Sequence, residues 1–214
     1  NIILIGDPQQ LAQPSNIIHP GDSGLSVLEY ILKDQSTVKK DMGIFINETR
    51  RLNTNINEFT SSLFYDGRLK SHSSNKNRQL QFKNDILGIH EGLLLIETNH
   101  EDNSQNSKEE VEIIKSLYDY LIKQNISINN KVRPITNDDI LVVAPYNVQV
   151  NQLSQSLPDG NRSGTIDKFQ GQEAAISILS MTASDAEQAP RGIDFLFDYR
   201  RLNVAVSRAQ CLSI

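Results

Sequence analysis

Unbroken apolar segments that alternate with helical segments constrain the fold of this chain more than any other feature. The clearest, Ile140-Leu141-Val142-Val143, is typical of a strand that is covered on both faces, as in a parallel sheet. Further strands are predicted at residues 1–5, 43–46, 92–98, 163–166, 175–179 and 211–214. Apolar residues recur at helical spacing at residues 25–34, 56–64, 111–122, 148–157 and 199–209. This alternation predicts an α/β fold with a mainly parallel sheet flanked by helices.

Length, charge and cysteine content exclude several classes of protein. A chain of 214 residues suits one large domain, or one domain with part of another. The formal net charge of −5 gives no overall attraction for nucleic acid. The single Cys211 excludes a disulfide-stapled secreted scaffold and favours a reducing, cytoplasmic setting, with the thiol buried in the last strand. No apolar run approaches the roughly 20 residues that cross a bilayer, so no membrane partner is expected.

Both ends of the chain have the character of strand interiors. Residues 1–5 (Asn-Ile-Ile-Leu-Ile) and 211–214 (Cys-Leu-Ser-Ile) are apolar, and a strand in either place needs neighbours to satisfy its backbone groups. We therefore expect this sequence to be a fragment of a longer polypeptide.

Three polar segments are predicted to be loops. Residues 71–84 are rich in Ser, Asn and Lys, and residues 125–139 and 185–194 lack a clear period. The first of these segments is predicted to be solvated, although its basic residues could also contact a phosphate backbone; they are Lys70, Lys76, Arg78 and Lys83. The four histidines lack metal-ligand spacing, so no metal site is predicted within the chain. Ser107 and Glu110 have the spacing of a helix capping box.

Four short motifs are predicted at the carboxyl ends of strands, where sheets of this kind bind ligands. The first is Gly-Asp-Pro-Gln-Gln-Leu at residues 6–11, which is also compatible with an ordinary turn. The second is Glu-Thr-Arg-Arg-Leu at residues 48–52, whose arginines could equally lie on a solvated or ion-paired face. Neither motif alone indicates a function.

Two further motifs are denser in polar groups. Residues 164–173 (Gly-Thr-Ile-Asp-Lys-Phe-Gln-Gly-Gln-Glu) suit a loop that presents donors to a ligand, although a plain hairpin loop has a similar composition. In residues 200–209, Arg201 and Arg208 are seven positions apart and would share one face of a helix. Two aligned guanidiniums could bind phosphate oxygens, or they could be part of a salt-bridged surface.

The order of the motifs is more specific than any one of them. Along the chain they are Gly-Asp-x-x-Gln-Leu, Arg-Arg, Ala-Pro-Tyr-x-x-Gln at residues 144–149, Asp-x-Phe-Gln-Gly-x-Glu at 167–173 and Arg-Leu-Asn-Val-Ala-x-Ser-Arg-Ala at 201–209. This order resembles the third to sixth helicase motifs of superfamily 1, in its 5′-to-3′ branch. Residues 141–147, 164–174 and 189–197 look most similar to bacterial proteins that join a RecB-like nuclease domain to such a helicase.

The resemblance implies a RecA-like fold of the P-loop nucleoside triphosphatases and a bound ATP between two such domains. It implies that Gln10 senses the γ-phosphate and that Arg51 and Arg208 stabilise charge on it during transfer, so these three are the candidate catalytic residues. The residues that it implies in ATP binding are Asp7, Gln170, Gly171, Glu173 and Arg201, with Glu173 on the ribose hydroxyls.

The same resemblance implies a nucleic-acid surface. The candidate contacts to the backbone of single-stranded DNA or RNA are Pro145, Tyr146, Gln149 and Thr165, and they would carry little base preference. Tyr146 is equally compatible with a core aromatic whose hydroxyl is satisfied. The other partners implied are an upstream RecA-like domain and a fused nuclease domain.

The chain departs from the family pattern in one large respect. It contains no Gly-x-x-x-x-Gly-Lys-Ser/Thr phosphate loop and no Asp-Glu pair after an apolar strand, so the ligands of ATP and Mg²⁺ that these motifs supply are expected upstream. We therefore expect residues 1–35 to end a first RecA-like domain and residues 36–214 to form a second, which would not hydrolyse ATP alone. A non-catalytic nucleic-acid-binding or scaffolding module with the same fold is the alternative.

Overall fold

The computed structural model describes residues 2–11, 20–33, 35–185 and 189–214. Its main element is a five-stranded sheet in which every neighbouring pair is parallel, in the order β4-β10-β9-β7-β8. These strands are β4 Gly92–Leu93, β7 Ile140–Ala144, β8 Arg162–Thr165, β9 Ala174–Leu179 and β10 Ala209–Ser213. The helices are α1 Val27–Leu32, α2 Thr54–Phe64, α3 Lys108–Leu121, α4 Asn147–Ser156, α5 Ile193–Leu196 and α6 Tyr199–Val206. The predicted α/β fold with a mainly parallel sheet is confirmed and is consistent with a RecA-like fold.

The central strand β7 shows why the sheet forms. Its five residues are fully buried, and successive side chains point to opposite faces of the sheet. Val142 packs into the larger apolar cluster with residues of α3 and α4, whereas Leu141 and Val143 pack into a second cluster with Val204 of α6. Both faces are therefore covered by helices, which matches the unbroken apolar run in the sequence.

A small antiparallel sheet lies where two loops were predicted. Its order is β3-β5-β6, formed by β3 Arg78–Gln81, β5 Asn125–Ile128 and β6 Lys131–Pro134. Asn129 and Asn130 have φ of 50° and 64°, the left-handed pair that a tight hairpin turn requires. The loop prediction for residues 125–139 was therefore wrong, because the Asn-Asn turn signal was overlooked. Half of residues 71–84 are exposed, as predicted, but Leu80 and Asn75 are buried and anchor the segment.

Two predicted strands near the start of the chain are absent from the described structure. Residues 2–5 have no regular structure and expose their side chains, with Ile2 at 88% and Ile5 at 93%. Residues 43–46 are likewise irregular, and Ile44 is 91% exposed. The strand forms slightly later instead, where β1 Glu48–Thr49 pairs in parallel with β2 Lys70–Ser71. Apolar runs form strands only where a neighbour supplies hydrogen bonds.

Several element boundaries also differ from the sequence predictions. The strand at 92–98 is only two residues long, and α5 begins within the predicted loop at 185–194 and extends beyond it. Most of the turn-rich stretch after Leu11, and residues 186–188, lie outside the described residues. Ser107 caps α3 by accepting from the Glu110 amide at 3.1 Å, but the Glu110 carboxylate binds the Ser180 hydroxyl and the Thr182 amide instead of completing a capping box.

None of the helices in the described part of the chain has the length and the apolar character that crossing a membrane requires. Cys211 is fully buried in β10, as predicted. Burial raises the pKa of its thiol to about 12, so it stays protonated and unreactive at neutral pH.

Candidate functional site

The buried guanidinium of Arg208 is the most unusual polar group of the structure. Arg208 lies just before β10 and is 1% exposed. It donates to the Val204 carbonyl at 2.9 Å, to the Gln172 carbonyl at 3.0 Å and to the Ser207 hydroxyl at 3.1 Å, with a longer contact to the Phe169 carbonyl at 3.4 Å. All of these acceptors are uncharged, and no carboxylate of the described residues forms an ion pair with it.

Burial and the nearby charge of Arg51 lower the pKa of Arg208 to about 10, against the opposing influence of Glu173 and Tyr65. The guanidinium therefore remains charged at neutral pH, in surroundings that disfavour the charge. An anion placed beside it would relieve this penalty. A buried cation without a counter-ion is what an anion-binding site looks like before its ligand arrives.

Arg51 and Glu173 form an ion pair next to Arg208. The Arg51 Nε donates to a Glu173 carboxylate oxygen at 2.5 Å, and its terminal nitrogen contacts the Ser207 carbonyl at 3.4 Å. Gln210 donates to the other Glu173 oxygen at 2.8 Å. Partial burial opposes ionisation of Glu173, but the hydrogen bond and the charge of Arg51 outweigh it and lower the pKa of the carboxyl.

The cluster carries an excess of positive charge. Arg51, Arg78 and Arg208 all interact electrostatically with the single carboxylate of Glu173. Arg78 donates to the carbonyls of Arg50 and Arg51 at 3.1 and 3.2 Å, and so ties β3 to the arginine motif. Three guanidiniums around one carboxylate favour an anionic ligand such as a phosphate.

Gln10 and Asp7 lie in a second, adjoining network. The Gln10 side chain donates to an Asp7 carboxylate oxygen at 2.8 Å, and the Tyr65 hydroxyl donates to the same oxygen at 2.7 Å. Asn203 of α6 donates to the Tyr65 hydroxyl at 3.0 Å and to the Gln9 carbonyl at 2.8 Å. Burial and the Asp7 charge raise the pKa of Tyr65, so this phenol stays a donor.

Tyr65 connects the two networks, since it binds Asp7 directly and interacts electrostatically with Arg208. The structure thereby brings the predicted residues Gln10, Asp7, Arg51, Glu173 and Arg208 into one region. Glu173 and Arg208 precede β9 and β10, so this region lies at the amino ends of those strands rather than at the carboxyl ends, where the sequence analysis had placed these motifs.

The loop between β8 and β9 runs beside this region. Gln170 and Gly171 are exposed there, and Gly171 has a φ of +81°, which favours glycine. Phe169 anchors the loop in the core at 2% exposure. The backbone of Gly164 passes close under the loop, because a Cβ there would lie 3.0 Å from the Phe169 ring. Phe169 therefore anchors the loop in the core, whereas the neighbouring Gln170 is exposed to solvent.

Arg201 does not share a helix face with Arg208, because α6 ends at Val206. The prediction that these arginines are aligned on one helix was wrong for that reason. Arg201 donates to Asp167 at 3.1 Å and its guanidinium lies 4.3 Å from the ring centroid of Phe195. Arg201 therefore contacts the start of the loop between β8 and β9, whereas Arg208 contacts the later part of that loop at Phe169 and Gln172.

The candidate nucleic-acid residues lie at the opposite, carboxyl edge of the sheet. Pro145 and Tyr146 directly follow β7, and Thr165 ends β8. Pro145 and Thr165 are half-buried, whereas Tyr146 is 7% exposed and its hydroxyl has no hydrogen-bond partner within the described ranges of the chain. Gln149 is completely buried, with its amide bonded to both backbone groups of Ser107 and to the Ser180 hydroxyl. In this structure Gln149 joins α4 to the start of α3 and is not accessible to a ligand.

The comparisons with known proteins agree with the order of the motifs. A protein-family model described as "AAA domain" matches residues 24–214. The chain belongs to the AAA domain family. Because the match covers nearly the whole chain, the sheet and the arginine cluster both lie within this AAA domain.

Curated relatives of this AAA domain are helicases and a DNA-binding protein. It is 30% identical over 232 residues to the DNA polymerase alpha-associated DNA helicase A of Saccharomyces cerevisiae, covering 97% of the chain and 32% of the relative. It is 28% identical to Helicase SEN1 of the same yeast and to the DNA-binding protein SMUBP-2 of Mesocricetus auratus, covering 97% of the chain and 10% and 21% of those proteins. The chain thus spans a third or less of these relatives. Together the matches confirm the prediction of a superfamily 1 helicase domain.

Sequence reasoning missed three residues of the site in this AAA domain. Tyr65 and Asn203 complete the network around Asp7, and Gln210 holds Glu173. Asn203 lies inside the motif at 201–209, so its position within a quoted motif was an available signal. No local pattern marks Tyr65 as a site residue, because its role depends on a contact with Asp7, 58 positions away in the sequence.

Proposed function

We propose that this AAA domain is the C-terminal motor domain of an ATP-dependent helicase that translocates on single-stranded nucleic acid. Residues 36–214 form the second RecA-like domain, and residues 1–35 are the end of the first. The phosphate loop and the magnesium ligands belong to an upstream RecA-like domain, so this chain alone is inactive.

The observation that carries this proposal is the buried, unpaired guanidinium of Arg208 beside Arg51. A triphosphate fits the cluster, because its arginines outnumber the one carboxylate among them. During transfer of the γ-phosphoryl group, charge spreads over its oxygens, and fixed guanidiniums stabilise that charge. Both arginines are held before a ligand binds, Arg208 by carbonyls and Arg51 by Glu173. Phosphate oxygens have to replace part of these contacts on binding, since Arg208 is 1% exposed and its N–H groups are engaged by protein acceptors.

The neighbouring residues have distinct roles in this proposal. Gln10 senses the γ-phosphate, and Asp7 holds the Gln10 amide while its contact with Tyr65 ties it to the second domain. Glu173 holds the ribose hydroxyls, which requires part of its pairing with Arg51 or Gln210 to open. Mg²⁺ supplies charge neutralisation on the phosphates when it is bound. Both carboxylates of the site are already engaged by protein donors, which supports upstream metal ligands.

Two further ATP contacts come from the loop before β9. Gln170 and Gly171 are exposed and line the cleft in this proposal. Arg201 acts less directly, since it is paired with Asp167 and stacked on Phe195. Its part is to fix the end of the loop that carries Gln170.

Single-stranded DNA or RNA crosses the carboxyl edge of the sheet, near Pro145, Tyr146 and Thr165. Contacts there are to the sugar-phosphate backbone, so sequence preference is small. The burial of Gln149 supports an indirect contribution, in which it positions the start of α4. We further propose a cytoplasmic protein whose longer chain carries a RecB-like nuclease domain, on the similarity of residues 141–147, 164–174 and 189–197 to such fusions.

A scaffolding module that lacks turnover is the competing function. It gives no reason to keep an uncompensated buried cation, since a neutral side chain of similar volume would satisfy a scaffold at lower cost. The arginine cluster therefore favours the motor over the scaffold.

The experiment compares two proteins, the 214-residue chain and the longer natural polypeptide that contains the phosphate loop. The longer protein should hydrolyse ATP faster when single-stranded oligonucleotide is added, and the chain alone should show no hydrolysis above a buffer blank. Hydrolysis by the chain alone would contradict the division of the site between two domains. Oligonucleotide binding by the longer protein without any ATP hydrolysis would establish the scaffold instead.

A further inference from the structure

An arginine in the stretch 189–197, outside the five ordered motifs, stacks on an aromatic ring next to Tyr146. The Arg191 guanidinium lies 4.7 Å from the ring centroid of Phe195, and the Phe195 and Tyr146 ring centroids are 5.8 Å apart. Arg191 is exposed and forms no ion pair with the described residues. A guanidinium flattened on a ring keeps its N–H groups directed outward at its rim, where they can reach phosphate oxygens.

The ring under Arg191 is held from a second element. Arg201 of α6 also places its guanidinium over Phe195, at 4.3 Å, and Arg201 is itself paired with Asp167 at 3.1 Å. Phe195 is thus fixed between α6 and the segment after β7. Because the ring does not have to be ordered on binding, a ligand that meets Arg191 meets a preorganised surface.

The hydroxyl of Tyr146 is a second sign that a ligand approaches this place. It is buried and has no hydrogen-bond partner among the described residues, whereas buried hydroxyls in folded proteins are nearly always bonded. The charge of Arg191 acts on this hydroxyl, and both residues lie against the Phe195 ring.

We propose that Arg191, supported by Phe195, binds a backbone phosphate of single-stranded nucleic acid at the carboxyl edge of the sheet beside Tyr146. This inference rests on the proposed function and adds a site residue to it. A phosphate of ATP is the other source of the same chemistry, but the arginine cluster with Arg51 and Arg208 lies at the amino ends of β9 and β10. Tyr146 follows the carboxyl end of β7, and Arg191 is linked to it through Phe195. Arg191 therefore lies at the carboxyl edge, where the proposed function places the nucleic acid.

The test uses the longer natural protein without nucleotide and a fluorescein-labelled oligothymidine. Arg191→Ala should weaken binding about tenfold near 100 mM salt, the loss expected for one charge-assisted contact. The slope of log K against log salt concentration should shrink by about 0.7, the value for one phosphate of a single strand. Arg191→Lys should restore most of the slope, because it restores the charge.

Lys131→Ala is the matched control, since it removes one exposed positive charge from the hairpin strand β6. It should leave both affinity and slope unchanged. Phe195→Ala should weaken binding less than Arg191→Ala, and the double variant should be no weaker than Arg191→Ala alone, because the ring acts through the arginine.

Three outcomes separate the possible failures. A wild-type protein that neither binds the oligonucleotide nor hydrolyses ATP defeats the proposed function itself. A wild-type protein that binds, with Arg191→Ala unchanged in affinity and slope, overturns only the present inference. An increase in the KM for ATP with unchanged oligonucleotide binding would assign Arg191 to the nucleotide and would also overturn it.

Discussion

Replacement of Arg208 by methionine is expected to abolish ATP hydrolysis while leaving the domain folded. The side chains have similar length, and methionine adapts to irregular space in a core. Loss of an arginine that acts on a transferring phosphoryl group lowers kcat by about 10³ to 10⁵. An arginine with a purely structural role would instead show its effect in stability.

The stability change follows from two opposing terms. The pKa of Arg208 is lowered from 12.5 to about 10, and each unit corresponds to about 1.4 kcal/mol, so holding the charge in the fold costs about 3 kcal/mol. Because Arg208 is a base whose pKa is lower in the folded state than in the unfolded state, its positive charge lowers the free energy of unfolding. The full penalty is present at pH 7 and fades only as the pH rises through about 10.

Methionine removes this penalty and leaves the Gln172 carbonyl without a donor, whereas the Val204 and Phe169 carbonyls keep the Ser207 hydroxyl and the Gln172 amide. One orphaned acceptor costs about 1 kcal/mol. The gain exceeds this loss, and the free energy of unfolding should rise by no more than about 2 kcal/mol. Urea unfolding and steady-state ATP hydrolysis of the longer protein measure the two quantities separately.

Arg133→Met is the control, because Arg133 forms a two-pronged ion pair with Asp139 at 2.6 and 2.8 Å and makes no hydrogen bond to Arg51, Glu173 or Arg208 in the described part of the chain. It should lower stability without changing kcat per folded molecule. Wild-type hydrolysis by Arg208→Met would refute the catalytic assignment. A loss of stability above about 4 kcal/mol would refute the argument that the charge is unfavourable in the fold.

Two further predictions concern stability. Gly164→Ala places a Cβ 3.0 Å from the buried ring of Phe169. Overpacking should lower the free energy of unfolding by about 1 to 3 kcal/mol. An unchanged urea midpoint would contradict this and show that the loop shifts to make room for the methyl group. Burial opposes ionisation of Asp139, but Arg133 and Thr136 outweigh it and lower the pKa of the carboxyl below 3.8. Its contribution is therefore present above pH 3.8 and is lost as the pH falls through the lowered pKa. Asp139→Asn should be less stable at pH 7 and lose less on acidification, as followed by thermal unfolding from pH 7 to 2.5; parallel curves would contradict this.

Local patterns predicted most of the large sheet. The run that forms β7 could be identified because burial on both faces demands apolar residues at every position. The exposed run at residues 2–5 has the same local character and forms no strand among the described residues. The difference is the neighbouring strand, which supplies backbone partners and which no local pattern reveals.

The polar segments show the converse error. Residues 71–84 and 125–139 were predicted to be loops, yet β3 pairs with β5 through residues about 50 positions apart. The pairing buries Leu80 and Ile126 in the larger apolar cluster. Residues 71–84 contain only Leu80 and Phe82 as apolar residues, too few to indicate a strand before the partner is known, whereas the Asn129-Asn130 turn of residues 125–139 was a local signal.

The sequence by itself determined most strands and helices of the large sheet and the motifs that identify a superfamily 1 helicase domain, because these depend on residue type and on spacing within a few turns of chain. The tertiary structure alone decided that Arg208 lies buried without an ion-pair partner among the described residues, that α6 ends before it, and that Tyr65 binds Asp7. The placement of Arg191 on Phe195 beside Tyr146 was decided in the same way. Burial and charge pairing depend on which distant segments pack together, and that is set by the path of the whole chain.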